Sequence, residues 1–250
     1  MKTRLFLITV GVILGLTACS AHSNGPSETP LAETATEQPA SPGEEGQEMA
    51  ELTPTSTLSP TPTERIVLLE DDFSDISSGW ERYREFDGVL DYEIENEVYQ
   101  MMVLADDNLW WVFKEEALPE VVMGVDVWQV DGPEGSLFGL MCRYDPDSLD
   151  GIVFLISTEG QAGIGTINNG FDPLPGGELA YFDAIETGMN AKNTIEAACI
   201  GEALTLTVNG DVLFELPAPE SVGEFIGLAV ATPLGAGADV YFDNLVVYTP

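Results

Sequence analysis

Histidine is nearly missing from this chain: the single one, His22, lies close to the N-terminus, ahead of any strand-like pattern. Serine and cysteine hydrolase machinery and histidine-ligated metal centres are thereby excluded from the remainder. Basic side chains are also scarce. Eight Lys and Arg face 43 Asp and Glu, for a formal net charge of −35. Phosphate backbones demand a basic surface, so nucleic acid is excluded as a partner. Docking on anionic lipid through surface charge is disfavoured for the same reason. No glycine-rich phosphate loop opens a helix. The longest apolar run, residues 5–16, is 12 residues long. As a helix it would reach roughly 18 Å, well short of the ~30 Å hydrocarbon core, so it is no membrane span. Cysteine is limited to Cys19, Cys142 and Cys199.

What the N-terminus does contain is a pattern of export. Lys2 and Arg4 precede the apolar run "LFLITVGVILGL", which has the length and flanking charge of a secretory signal. It ends in Leu16-Thr17-Ala18-Cys19, which resembles the lipobox of bacterial lipoproteins. That resemblance implies a diacylglyceryl group on the Cys19 thiol and cleavage just before it, removing residues 1–18. The protein would then be exported and anchored to the outer face of a bacterial membrane in the cell envelope. Two or more acyl chains make such an anchor stable, at roughly 0.8 kcal/mol per buried CH₂. An ordinary cleaved signal with an incidental cysteine is the other reading.

Residues 19–64 change in composition. Past Cys19, Pro, Ser, Thr and Glu dominate, and aromatic and basic residues are missing. Such a segment cannot bury enough apolar surface to offset its ordering entropy, so it is expected to be a disordered linker. "TPTSTLSPTPT" (53–63) should be stiffer and polyproline-like. As a random coil of this length the linker would reach roughly 35–40 Å. Loss of Lys2 and Arg4 with the signal leaves six basic residues: Arg65, Arg82, Arg84, Lys114, Arg143 and Lys192.

From residue 65 to 250 the pattern is that of β-strands throughout. "VVMGVDVWQV" (121–130) sets Val121, Met123, Val125 and Val127 on one face and Gly124, Asp126 and Trp128 on the other. Asn209-Gly210 between two β-like runs (203–208 and 211–216) is a strong hairpin signal. Further strands are expected at 66–73, 89–95, 98–104, 109–114, 136–144, 151–157, 161–168, 194–200, 224–231 and 239–248. Residues 182–190 could form a helical turn or two at most. The expected fold is all-β, a single antiparallel sandwich. Within it Cys142 shares a face with Phe138 and Leu140, and Cys199 with Ile195 and Ala197. Both sulfurs should point into an apolar interior, and an even pair in an exported protein predicts a disulfide. The closed loop would contribute roughly 4 kcal/mol. Two cysteines without histidine make no zinc site.

The motifs "DDFSDISSGW" (71–80), "FGLMCRY" (138–144), "TLTVNGDVL" (205–213) and "VYFDNLVVY" (240–248), in this order, resemble the concanavalin A-like lectin/glucanase sandwiches. More narrowly they are similar to laminin-G-like and 3-keto-disaccharide-hydrolase-like modules of bacterial surface proteins. The resemblance covers essentially the whole region 65–250. It implies a jelly roll of two curved antiparallel sheets, with first and last strands close together and a concave face that often receives sugars. Function does not transfer with fold.

Site residues follow from chemistry. Flat aromatics cover the C–H faces of a sugar while polar groups take its hydroxyls. Trp128 and Asp126 share an outward face; Trp110 and Trp111 are adjacent in a strand and must point to opposite faces; Arg143 also faces outward. These five form the candidate ligand set. Asp71, Asp72 and Asp243 would converge if the first and last strands are neighbours, and could hold a structural Ca²⁺. "DPDSLDG" (145–151) has EF-hand-like acidic spacing, but its third ligand and its glycine both come one residue late, so a polar hairpin is expected there. Two carboxylates could hydrolyse a glycoside, but the Glu-x-Asp-x-x-Glu strand motif of sandwich glucanases is missing, and "EIENE" (93–97) only echoes it across a turn. No catalytic residue and no cofactor beyond Ca²⁺ is assigned. The expected function is a lipid-anchored surface module that binds carbohydrate or another envelope polymer, without catalysis. An enzyme acting on a 3-keto-glycoside and a protein-interaction module are the alternatives. Replacement of Cys19 by alanine should release the protein from membranes in fractionation; continued membrane association would defeat the anchor.

Overall fold

The alternation of apolar and polar residues along 121–130 resolves into an eleven-residue strand, and its inward set is fully buried. The same rule builds the rest of the architecture. The computed structural model describes residues 65–250 except 168, 169, 221, 222, 234 and 236. The expected Cys19 anchor site, signal (1–18) and linker (19–64) lie outside the described residues.

Sixteen strands form two antiparallel sheets. The nine-stranded sheet contains β1 (Val67–Asp71), β2 (Tyr83–Glu85), β3 (Gly88–Glu93), β4 (Val98–Val103), β6 (Val121–Asp131), β12 (Asn193–Ile200), β13 (Ala203–Val208), β14 (Asp211–Pro217) and β16 (Ala238–Tyr248). Their order is β14-β13-β12-β6-β16-β4-β3-β2, with β1 also paired to β16. The seven-stranded sheet contains β5 (Leu109–Phe113), β7 (Leu137–Asp145), β8 (Asp150–Ser157), β9 (Gln161–Ile167), β10 (Phe171–Pro173), β11 (Ala180–Tyr181) and β15 (Phe225–Ala231). It runs β10-β9-β8-β7-β15-β5, with β11 beside β9. No helix occurs among the described residues, and 182–190 is a series of turns. Asn209 and Gly210 both take positive φ and close the β13–β14 hairpin, as their sequence predicts.

The main core lies between the sheets. Val121, Met123, Val125 and Val127 of β6 and Val240, Phe242, Leu245 and Val247 of β16 meet Phe138, Leu140, Phe154, Ile156, Leu228 and Val230 of the other sheet. Cys142 and Cys199 are bonded across this interior, joining β7 to β12 over a separation of 57 residues. A second apolar cluster uses the seven-stranded sheet alone. Leu109, Leu137, Met141, Val153, Leu155 and Ala229 pack there with the partly buried Trp111, Phe113, Phe171 and Phe225. Alternation places this cluster on the face turned away from the main core.

The first strand is locked by a buried polar knot. Asp71 accepts hydrogen bonds from the Phe73 amide (2.9 Å) and from Trp80 Nε1 (2.9 Å). The Lys114 ammonium lies 3.8 Å from the same carboxylate and 4.9 Å from the centre of the Trp80 ring, and it donates to the Ser78 carbonyl. Burial pushes the Lys114 pKa down, against the opposing pull of Asp71 and Glu116. Phe73, Trp80, Tyr92 and Tyr99 pack together beneath the knot, with ring centroids 5.4–5.8 Å apart.

Two outcomes are expected. Asp71→Ala would leave a buried ammonium without its counter-charge and an indole N–H without its acceptor, costing about 3–5 kcal/mol. The melting temperature should fall by roughly 10 °C; a change of only a degree or two would refute the assigned role. Complete reduction of Cys142–Cys199 should cost about 4 kcal/mol, read as a comparable drop in melting temperature. An unchanged melt after verified reduction would count against it.

Candidate functional site

The outward face of the nine-stranded sheet carries the one described place where the expected aromatic and polar groups come together. Asp126 and Trp128 alternate outward along β6 between buried valines. On the neighbouring β16, Asp243 stands opposite Asp126 and Tyr241 opposite Trp128. The two rings meet edge to face, with centroids 5.9 Å apart. On the other side, Thr194 of β12 pairs with Asp126 and donates its hydroxyl to that carboxylate at 2.6 Å. Asn244 Nδ2 donates to the second carboxylate oxygen at 3.1 Å. Lys192, just ahead of β12, lays its ammonium 4.1 Å from the centre of the Trp128 ring. The same ammonium is 3.4 Å from Asp243 and 3.9 Å from Asp126.

The row continues across the sheet. Tyr241 stands opposite Gln100 on β4, and Gln100 opposite Asp91 on β3. Gln100 donates to both carboxylate oxygens of Asp239, at 2.9 and 3.0 Å. Burial pushes the Asp239 pKa up, and Gln100 only partly offsets it. Asp91 receives Arg82 at 2.6 Å and Arg84 at 3.1 Å. Burial acts to raise its pKa, but the two guanidinium groups and the Tyr92 amide outweigh that and hold it below the usual range. At ~4.8 Å per strand, the groups from Trp128 to Asp91 extend over about 14 Å across the strands. The partly exposed end of the row, Trp128, Tyr241, Asp126 and Asp243, offers ring surfaces and carboxylate acceptors, groups that sugar recognition uses, while Gln100, Asp239 and Asp91 are buried and paired beside it.

The other sequence candidates fall elsewhere. Trp110 packs on the main core, edge to face with Tyr83 at 5.5 Å, and is not a ligand-facing residue. Gly88 makes room for it: a Cβ there would come within 2.6 Å of the Trp110 ring. Trp111 points the opposite way, as adjacency requires, into the apolar cluster of the seven-stranded sheet, 5.9 Å from the Tyr144 ring. The two adjacent tryptophans thus point to opposite faces of the seven-stranded sheet, as the sequence requires, and both lie apart from Trp128. Arg143 does not look freely outward. It is buried at a bulge in β7 with φ +49°, and its Nη2 donates to the Gly201 carbonyl at 2.6 Å. It lines a cleft of about 530 Å³ with Glu120, Glu202, Glu220 and Glu224. That cleft lies beyond the start of β6, eight residues or about 26 Å along the strand from Trp128.

The Ca²⁺ trio is corrected too. Asp71 is spent on Trp80, Phe73 and Lys114, Asp72 on the amide and hydroxyl of Ser74, and Asp243 on Lys192. Asp71 does stand opposite Leu245 on β16, so the first and last strands are neighbours. An extra residue in β16, with Asn244 at φ +53°, then turns Asp243 to the outer face while Asp71 faces inward. Among the described residues no three acidic, cysteine or histidine side chains group as a metal site. The 145–151 loop is a polar hairpin in which Asp145 accepts from the Asp147 amide and the Ser148 hydroxyl. Glu93 likewise caps a turn, accepting from the amides of Glu95 and Asn96.

No protein-family model matches the chain, and no curated protein matches it in sequence. Solved structures do. The carbohydrate-binding module CBM66 from Bacillus subtilis superposes with a TM-score of 0.55 at 16% identity, over 68% of this chain and 96% of the module. A Bacillus licheniformis β-glucanase gives 0.52 at 12% identity, over 73% and 97%. The catalytic domain of a Thermotoga petrophila endo-1,3-β-glucanase gives 0.52 at 10% identity, over 74% and 98%. At such identities the likeness is one of fold. With the two antiparallel sheets described above, it shows that the folded region is an all-β, jelly-roll-like sandwich, the fold of these glycan-binding and glucanase domains.

Proposed function

We propose that this sandwich is a non-catalytic carbohydrate-binding module, displayed in the cell envelope on a linker and held to the outer face of a bacterial membrane by lipid on Cys19. The observation that carries the binding reading is the Trp128–Tyr241 pair on the outward face, edged by Asp126, Asp243 and Thr194. The aromatic pair supplies apolar area at low entropic cost, and the carboxylates and amides around it supply hydroxyl partners. Lack of histidine in residues 65–250 and of the sandwich-glucanase strand motif favours binding over turnover. The fold neighbours include both binding modules and glycan-processing enzymes, which supports a carbohydrate theme for either role.

A second reading rests on the cleft at Arg143. Its four glutamates are the groups a glycosidase would need, although Glu120 already accepts the Gly201 amide at 3.1 Å. Turnover of a 3-keto-glycoside by the purified chain, lost in Glu202→Gln or Glu224→Gln, would establish it.

The binding reading is tested on the intact, detergent-solubilised chain against linear oligosaccharides of glucose, N-acetylglucosamine, glucosamine and fructose. Trp128→Ala should weaken the best ligand at least tenfold, about 1.4 kcal/mol. Trp111→Ala, on the opposite sheet, should leave affinity unchanged. Binding indifferent to Trp128, or none to any series, would overturn the assignment.

A further inference from the structure

Trp128 does not present a bare ring. An ammonium already sits on it, held by two carboxylates: Lys192 Nζ is 4.1 Å from the ring centre, 3.4 Å from Asp243 and 3.9 Å from Asp126. The arrangement is an aromatic face closed by acidic walls, which is what a cation requires. The ring and one wall do not depend on the lysine for their place, while Asp243 has Lys192 as its hydrogen-bond partner. Asp126 is fixed by Thr194 and Asn244, and Trp128 by the register of β6 against β16. The lysine is the loose part. Its side chain is 47% exposed, against 22% for Asp126 and 20% for Asp243. An exposed cation–π contact and an exposed ion pair are both weak, and surface side chains reorient in nanoseconds. An ammonium brought in by a ligand can therefore take its position.

The charge of the whole chain points the same way. Forty-three acidic residues against eight basic ones draw polycations in and keep polyanions away. From Trp128 the row runs on to Tyr241, a second partly exposed ring on which a further unit of a chain laid across the strands can rest; Gln100 and Asp239 beyond it are buried and bonded to each other.

We propose that the platform recognises a glycan bearing protonated amines, of the de-N-acetylated amino-sugar class, with one ligand ammonium replacing Lys192 between Trp128, Asp126 and Asp243. This rests on the carbohydrate-binding reading above and names its ligand class.

The test uses two probes with one backbone: the β-1,4-linked hexamers of glucosamine and of N-acetylglucosamine. Both are titrated calorimetrically into the detergent-solubilised full chain at mildly acidic pH. The glucosamine hexamer should bind at least tenfold tighter, and its advantage should shrink as salt is raised. Asp243→Asn should remove most of that advantage and leave the acetylated hexamer unaffected. Lys192→Ala should tighten the glucosamine hexamer severalfold, since it removes a built-in competitor. Trp128→Ala should weaken it; indifference to Trp128 would mean bulk charge attraction only and would overturn the proposal. Equal or tighter binding of the acetylated hexamer, or weaker glucosamine binding in Lys192→Ala, would also overturn it and leave the carbohydrate reading standing. Binding of neither hexamer overturns this proposal, while binding of another oligosaccharide series would still uphold the broader reading. Melting curves matching the parent chain establish that each variant is folded.

Discussion

The pairing of β6 with β16 organises the molecule. Both strands are eleven residues long, and they lie side by side in the middle of the nine-stranded sheet. A slip of one residue would exchange the core face of either strand for its outer face. The register that buries Val127 against Phe242 also sets Trp128 beside Tyr241 and Asp126 beside Asp243. The platform is thus the solvent side of the same contact that fills the core. β16 pairs with β6 along one edge and with β4 and then β1 along the other, and the bulge at Asn244 changes its face once so that Leu245 and Val247 stay inside opposite β1.

Scarcity of positive charge gives each basic residue weight. Of the six in the folded region, Arg65, Arg82, Arg84, Lys114 and Lys192 form ion pairs, and Arg143 holds a backbone carbonyl. Four of the six lie on or beside the outward face of the nine-stranded sheet. Lys114 alone is committed to the interior near the first strand. Burial lowers its pKa, so its charged form is held there against a desolvation cost, by Asp71, the Trp80 ring and the Ser78 carbonyl. The opening motif "DDFSDISSGW" is the sequence trace of that knot: its first Asp and its terminal Trp bond each other directly.

Most strands were legible in the sequence because a half-buried strand must alternate. The short β2, β10 and β11 were not, since two or three residues carry no period. The disulfide was legible because both cysteines share a face with large apolar neighbours. Asp126 and Trp128 could be paired from β6 alone. Tyr241, Lys192 and Thr194 could not, because their meeting depends on register between strands far apart in the chain. The Asp243 assignment shows how parity misleads. The first and last strands are neighbours, as the family resemblance implies, and an uninterrupted β16 would put Asp243 on the face of Leu245, beside Asp71. One inserted residue reversed it. The tryptophan pair at 110–111 illustrates the complementary limit, since alternation assigns opposite faces without saying which one meets solvent.

The placement of β1 has a mechanical side. The chain enters the sandwich at residue 65, and β1 then runs antiparallel to β16 from the Val67–Tyr248 pair to the Asp71–Leu245 pair. A pull arriving along β1 loads the hydrogen bonds of that ladder together, in shear, instead of opening them one by one. At the far end of the strand the Asp71 carboxylate is already bonded to the indole of Trp80. Force on the N-terminal side would therefore meet the β1–β16 ladder and the Asp71 knot first.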